Sequence, residues 1–479
     1  MKERLRHTAK RLTTNDRSED GGRPSRERTD DGPRVPRPKR ARSAAVAPSG
    51  VARSAAGAAP ILPPESGAPH VLIVGGGGTG GALAHDLTLR GLRVTVVERG
   101  EITSGTTGRH HGLLHSGARY VTTDRAAAIE CSAENKILRR ICPGSFEEND
   151  GLFVAITDED AAYEKRFLEA CWECAVPSRR IEREEALRME PGLNPELRFA
   201  IQVPDATMDA MRMPLRFFAT ARCNGADIRP FTEVVAVTMA GRTVSGVRVR
   251  DRSADREYEI GADIVVNAAG PWAGRVAALA GVTVPVAPSP GVMVAVRGRL
   301  CNMVGNRLHS PGDGDIVLPQ RQLTVVGTSS WLVDDPDDLA IAPEQVEAIV
   351  RGSAELVPAV AKAEIRAAWS AARPLIGGSG AGSGGSTGSG GSTGSGGSTG
   401  SGAAGGAAGR ELGREWQCFD HATDKTPAQG FVTVAGGKAT TLRAMAEGTA
   451  DVVCAKLGLV RPCSTNDVVL FPHSAWYSA

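Results

Sequence analysis

Residues 71–80 read Val71-Leu-Ile-Val-Gly75-Gly-Gly77-Gly-Thr-Gly80. Four apolar residues, three of them β-branched, form a short buried strand that runs into a G-x-G-x-x-G turn. Helical spacing follows over 80–90. A second apolar run, 94–97, ends at Glu98, which lies 18 residues beyond Gly80. A lone glycine pattern says little, but strand, turn, helix and strand in this order form the βαβ unit of a dinucleotide-binding domain. Gly75 permits the tight turn, Gly77 lets the backbone approach a pyrophosphate, and Gly80 lets helix and strand pack closely. The helix N-terminus then aims its N–H groups and dipole at the phosphates. Glu98 stands where a carboxylate accepts hydrogen bonds from the adenosine ribose, which favours FAD or NAD over NADP.

The βαβ unit does not choose between FAD and NAD, but the segments after it do. Arg99 and the hydroxyl-rich run Ser104-Gly-Thr106-Thr107-Gly108 suit a loop lying along a flavin pyrophosphate. Far downstream, Ile264-Val-Val-Asn-Ala268-Ala-Gly270-Pro-Trp272 reads as a buried strand ending in small residues, where backbone can approach a cofactor. Gly430-Phe-Val-Thr-Val-Ala-Gly436-Gly437-Lys438 reads as a strand entering a Gly-Gly turn and a helix. Such a turn can set helix N–H groups against an electron-rich flavin edge. Ordinary strand-end glycines would look the same on spacing alone.

Outside this frame the chain is uneven. Residues 1–69 carry 15 Lys and Arg against 8 Asp and Glu, while residues 70–479 carry 41 against 46. The basic character belongs to a tail with almost nothing to bury, which reads as disordered; a basic arm touching anionic lipid or nucleic acid is the less favoured reading. The formal net charge of +2 argues against a general nucleic-acid binder. Nine scattered cysteines indicate a reducing compartment rather than a disulfide frame. The Cys171-Trp-Glu-Cys174 pair lies on a helical stretch without a second pair or a histidine at ligand spacing, so it reads as packing and no metal is expected. No apolar stretch is long enough to span a membrane, and the basic start lacks the apolar run of a secretory signal.

Residues 377–409 repeat Gly-Ser-Gly-Gly-Ser-Thr three times and read as a flexible linker at a loop tip; sequence does not say whether the repeat is natural or engineered. Further strands are expected at 244–250, 263–267, 292–296 and 323–327, and helices at 123–140, 161–174, 343–356 and 439–457. The mixture is α/β with a second, sheet-rich part.

Taken together, the chain resembles the FAD-dependent glycerol-3-phosphate dehydrogenases, and among them the large catalytic chain of the anaerobic bacterial type. The resemblance rests on Thr107-Gly-Arg-His-His-Gly-Leu-Leu-His115-Ser-Gly-Ala-Arg119-Tyr120, Val203-Pro-Asp-Ala-Thr-Met-Asp209, Val266-Asn-Ala-Ala-Gly270, Ala372-Arg373-Pro-Leu375 and Gly436-Gly-Lys438. It spans about residues 70 to 463, leaving out the Gly/Ser stretch. It implies an amine-oxidase-like FAD-binding fold: a Rossmann-like βαβ FAD domain and an antiparallel-sheet substrate domain, both built from discontinuous segments. The expected division is a tail at 1–69, FAD domain at 70–145, 203–285 and 369–465, substrate domain at 146–202 and 286–368, and a C-terminal tail at 466–479.

Three departures accompany the resemblance. The family ordinarily continues into a cysteine-rich domain, which leaves that electron route absent or on another chain. The family has Lys-Gly-Ser or Lys-Gly-Thr where this chain has Pro290-Gly291-Val292. The Gly/Ser stretch fills a loop that is short in the family.

The resemblance implies oxidation of sn-glycerol 3-phosphate to dihydroxyacetone phosphate, with electrons passing to quinone or to partner subunits. A secondary alcohol needs a base for its proton and an acceptor, the flavin N5, for its hydride. A phosphate dianion favours arginine forks. Arg119 and Arg373 are the strongest candidates and Arg414 the weakest; a lone arginine is otherwise a surface ion pair of little worth. His115 is the candidate base or substrate orienter, since histidine titrates near working pH; a structural hydrogen-bonding histidine is the equal alternative. His111 matches the family position and His110 does not, and only one of two adjacent histidines is expected to face the flavin. Tyr120 is placed over substrate or flavin, and Lys438 near the reduced flavin or the substrate. Two other readings stand beside this one: oxidation of an amino acid or 2-hydroxy acid on the same fold, and an FAD-binding subunit without turnover. The expected location is cytoplasmic, with peripheral contact at the inner face of the cell membrane left open.

Overall fold

The computed structural model describes residues 67–377 and 415–478. Most of the expected basic tail, nearly all of the Gly/Ser linker, Arg414 and Ala479 lie outside the described residues.

Two sheets organise the chain. The first has six strands in the order Trp416–Asp420, Phe431–Gly436, Ile264–Asn267, His70–Val74, Arg93–Val97 and Asp227–Arg229. Five are parallel and Trp416–Asp420 runs antiparallel at the edge. The period of two in Val71-Leu-Ile-Val74 sends alternate side chains to opposite faces. Val71 and Ile73 pack with Leu83, Leu87, Phe217 and Phe218 against the helices Gly78–Leu89, Arg212–Cys223 and Leu442–Lys456. Leu72 and Val74 pack with Val247 and Val249 against a three-stranded meander, Thr232–Ala240, Thr243–Asp251 and Arg256–Gly261. The sheet is covered on both faces, as parallel strands require.

The second sheet has eight strands in the order Ile365–Ile376, Val286–Arg297, Leu323–Gly327, Ile316–Gln320, Val304–Arg307, Gly151–Ala155, Phe199–Val203 and Arg179–Glu182. It is antiparallel except where Val304–Arg307 pairs in parallel with Gly151–Ala155. Its edge strand Ile365–Ile376 pairs with Val286–Arg297 along nearly its whole length, Arg373 opposite Ser289. That strand runs unbroken through the 368/369 division expected from sequence, so Arg373 sits on the antiparallel sheet. The local motif Ala372-Arg373-Pro-Leu375 does not reveal this, because strand pairing is a long-range fact. The expected helix 161–174 is two helices, Asp158–Ala162 and Glu164–Glu173, broken at Tyr163. Cys171 and Cys174 are both buried there among Phe167, Val176 and Cys131. Burial pushes the Cys171 thiol up to about 12 and raises Cys174 as well, the condition of packed rather than reactive thiols. Among the described residues no helix is long and apolar enough to cross a membrane.

Candidate active site

The residues proposed from sequence converge on one cavity of about 1030 Å³ that runs from the G-x-G-x-x-G turn to the eight-stranded sheet. Small-molecule sites usually span about 300–1,000 Å³, so this one suits a long ligand with room for a second. Every proposed site residue within the described chain lines it except Gly80. Gly80 acts from behind the wall: a Cβ there would collide with the Gly75 carbonyl oxygen, which keeps helix and strand in close contact.

At the dinucleotide end Gly75 has φ +121, and a Cβ there would lie 2.5 Å from the Ala268 carbonyl oxygen. The two βα turns therefore touch through backbone. Both Glu98 carboxylate oxygens are held by the loops around them: Gly76 N–H donates to Oε2 at 2.7 Å and Gly100 N–H to Oε1 at 2.8 Å. The N-cap of helix Gly78–Leu89, Gly77, provides no side-chain cap, and Gly78 N–H donates to Thr107 Oγ1 at 2.9 Å. Thr106 Oγ1 donates to Ala372 O at 2.6 Å, tying the pyrophosphate loop to the strand that carries Arg373. A helix N-terminus without a capping side chain at its own N-cap, a glycine turn with backbone at its surface and an anchored acidic side chain match the chemistry of an FAD pyrophosphate and ribose.

At the far end the strand Phe431–Gly436 turns through Gly436 (φ +89) and Gly437 (φ +76) into the helical turn Ala439–Thr441. Thr440 Oγ1 accepts the His115 backbone N–H at 3.1 Å. Arg443 reaches Glu134 of helix Arg125–Ile141 with Nε–Oε2 at 2.9 Å and Nη2–Oε1 at 2.5 Å, a buried pair. These contacts fix the segment carrying His115, Arg119 and Tyr120 against the one carrying Lys438. Lys438 Nζ sits 4.9 Å from the Tyr120 ring centroid, and the Tyr120 and His115 rings are 5.3 Å apart.

Arg373 lies flat over Gly291. Its Nη1 faces the Ser289 and Pro290 carbonyls at 3.4 and 3.3 Å, and its Nη2 donates to Thr328 Oγ1 at 2.8 Å and Ser329 O at 3.2 Å. A Cβ at 291 would stand 2.5 Å from Nη2. Glycine in Pro290-Gly291-Val292 thus makes room for the guanidinium. Arg119 pairs with Asp315 at 3.4 Å, both largely buried. Burial pushes the Asp315 carboxyl up, but the His309 hydrogen bond and the Arg119 charge outweigh it and leave it below the ordinary carboxylate range.

Three histidines line the cavity, both members of the adjacent pair among them. His110 Nδ1 accepts Gly112 N–H at 2.9 Å and His111 Nδ1 accepts Leu113 N–H at 3.0 Å, so each ring is folded back onto the backbone two residues on. Burial lowers His110 to about 4. Burial, His115 and His110, then Arg373 and Arg119, hold His111 well below 6.5. Both are neutral at physiological pH, and with Nδ1 accepting, each carries its proton on Nε2.

Sequence reasoning missed Thr328, Asp315 and Asp337. Thr328 and Asp315 act through arginines remote in sequence, and Asp337 lies in the run Asp334-Asp-Pro-Asp-Asp338, which looks like an ordinary solvated loop.

Residues 70–415 match the FAD dependent oxidoreductase family. The A subunit of the anaerobic glycerol-3-phosphate dehydrogenase of Escherichia coli K12 is 37% identical over 408 residues, covering 85% of this chain and 70% of that one. The A1 subunit of the Haloferax volcanii enzyme is 39% identical over 409 residues, covering 83% and 66%. Among solved structures, the glycerol-3-phosphate dehydrogenase from Bacillus halodurans complexed with FAD superposes with TM-score 0.62 at 23% identity, covering 84% of this chain and 68% of that one. The FAD-bound L-α-glycerophosphate oxidase of Mycoplasma pneumoniae gives TM-score 0.63 at 18% identity, covering 85% and 100%. At such identities these two structures speak to the fold alone.

Proposed function

The chain belongs to the FAD dependent oxidoreductase family, among the anaerobic glycerol-3-phosphate dehydrogenase A subunits, and from that premise we propose that it oxidises sn-glycerol 3-phosphate to dihydroxyacetone phosphate. The observation that carries the reading is the pair Arg119 and Arg373 on the substrate end of a cavity whose other end fits FAD. Two guanidinium groups answer a phosphate dianion better than a single carboxylate, which favours the phosphate ester over an amino acid or 2-hydroxy acid.

FAD bound along the Gly75–Gly80 turn supplies the hydride acceptor. Arg119, braced by Asp315, and Arg373, which would exchange some of its four protein oxygens for phosphate oxygens, hold the phosphate and so fix C2. The tautomers support a division of roles among the histidines. His111 and His110 carry Nε2–H and cannot accept a proton there; His110 Nε2 is buried without a hydrogen-bond partner among the described residues, which leaves His111 as the hydrogen-bond donor to the substrate oxygen. His115 is then the base that takes the hydroxyl proton as C2 loses hydride, leaving the ketone. Tyr120 packs against His115 and Lys438, and Lys438 brings positive charge to the Gly436-Gly437 turn, where negative charge develops. Electrons leave to a quinone or to partner subunits; the subunit names of the relatives support the second route.

Anaerobic titration of the holoprotein with glycerol 3-phosphate, with glycerol as control, tests this. Loss of the oxidised flavin band with the phosphate ester alone is expected. A band that survives glycerol 3-phosphate but is lost with a 2-hydroxy acid or an amino acid refutes the substrate.

A further inference from the structure

One carboxylate ties the two sheets together across the mouth of the cofactor cavity. Residues 328–342 connect strand Leu323–Gly327 to helix Pro343–Leu356. Asp337, at their centre, accepts from three side chains of the six-stranded sheet's connections: Arg275 Nη1 at 2.8 Å, Trp272 Nε1 at 3.0 Å and Arg99 Nη2 at 3.1 Å. Asp335 takes the other arm of Arg275 at 2.6 Å. Arg99 in turn stacks on Trp272, 4.4 Å from ring centroid to Cζ. Arg99, Trp272, Arg275 and Asp337 all line the cavity. Arg99 follows the ribose-facing Glu98, and Trp272 closes on Gly105 of the pyrophosphate loop, 3.3 Å from where a Cβ would stand.

We propose that Asp337 is a positioning residue for cofactor retention: it holds Arg99 and Trp272 as a strap across the ribose and pyrophosphate end of the bound FAD, and this strap opens when the cofactor leaves. The inference rests on the cofactor assignment above and adds the residue that governs how long FAD stays. Asp337 is 48% exposed and Arg275 50%, so each pair alone is weak. Three donors on one carboxylate form a coupled unit, and its exposure makes the unit sensitive to salt.

The test is the rate at which flavin fluorescence appears on diluting the holoprotein, at low and high salt. Asp337→Ala should release FAD about five- to tenfold faster, the scale set by losing a small exposed network. Added salt should speed release from the wild type and leave Asp337→Ala unchanged. Asp337→Asn keeps an acceptor for Trp272 but not the charge, and should fall between the two with the salt effect gone. Arg275→Ala, which removes another donor to Asp337, should reproduce the fast release, which keeps the test decisive if a strap variant folds poorly. The KM for glycerol 3-phosphate of freshly loaded Asp337→Ala should match the wild type, since the strap is at the other end of the cavity. Wild-type release rates in both Asp337→Ala and Arg275→Ala overturn the proposal, as does an unchanged salt response. A wild-type protein that takes up no flavin overturns the cofactor assignment itself.

Discussion

Gly291→Ala is the sharpest probe of the substrate end. The added methyl would lie 2.5 Å from Arg373 Nη2, 2.7 Å from Nη1 and 2.6 Å from the Ser329 carbonyl oxygen. The guanidinium can swing away, but the Ser329 oxygen is backbone and cannot yield without moving the main chain after strand Leu323–Gly327. Overpacking of this kind costs about 1–3 kcal/mol of stability. The larger effect is on binding. With the methyl present, Arg373 leaves Thr328 Oγ1 and the three carbonyls that aim it. A charge-assisted hydrogen bond contributes about 1.5–3 kcal/mol, so kcat/KM for glycerol 3-phosphate should fall about 10- to 100-fold. The fall should lie mostly in KM, because the phosphate is held in ground and transition states alike. Steady-state kinetics with an artificial acceptor, beside urea unfolding of the same preparation, reads both effects. Arg373→Lys, which keeps charge but loses the fork, should show the same KM rise without the loss of stability. An unchanged KM in Gly291→Ala, with stability lowered as expected, would refute the role given to Arg373.

Three further outcomes follow from the same geometry. Gly75→Ala forces a side chain onto φ +121 with a Cβ 2.5 Å from the Ala268 oxygen; it should yield protein without flavin absorbance and cost more than about 2 kcal/mol of stability. Glu98→Gln replaces one acceptor of the Gly76 and Gly100 N–H groups by an amide donor, and should weaken FAD binding about tenfold by equilibrium fluorescence titration. His85 is fully buried, neither ring nitrogen has a hydrogen-bond partner among the described residues, and burial lowers it to about 3. The unfolded chain protonates this group below its ordinary 6.5, whereas the folded chain does not, so stability falls as pH drops from 6.5 toward 3. At pH 5 the loss from His85 is about 2 kcal/mol; in His85→Leu that share of the acid destabilisation, followed by urea unfolding against pH, should be absent.

The contrast between what was legible and what was not follows the range of the interactions. The G-x-G-x-x-G turn could be read because its chemistry is local: Gly75, Gly77, Gly80 and Glu98 are set by one strand, one helix and the next strand. The Ala268–Gly270 and Gly436–Gly437 turns could be read for the same reason, as strand ends rich in small residues. What could not be read is how the second sheet braces the first. Arg373 looked like part of an FAD segment because its neighbours in sequence carry no trace of Ser289, Thr328 or Ser329, the residues that surround it. Glycine at 291 looked like half of a missing lysine motif, and its use appears once Arg373 lies across it. The histidines make the point most sharply. Sequence separates His110, His111 and His115 by position alone and leaves the base unassigned. Two backbone N–H groups, those of Gly112 and Leu113, occupy Nδ1 of the first two rings and so fix their protons on Nε2. Side-chain identity says that a histidine can serve as a base; the backbone N–H bound to its far nitrogen bears on whether it does, which is why His115 is the one proposed as base.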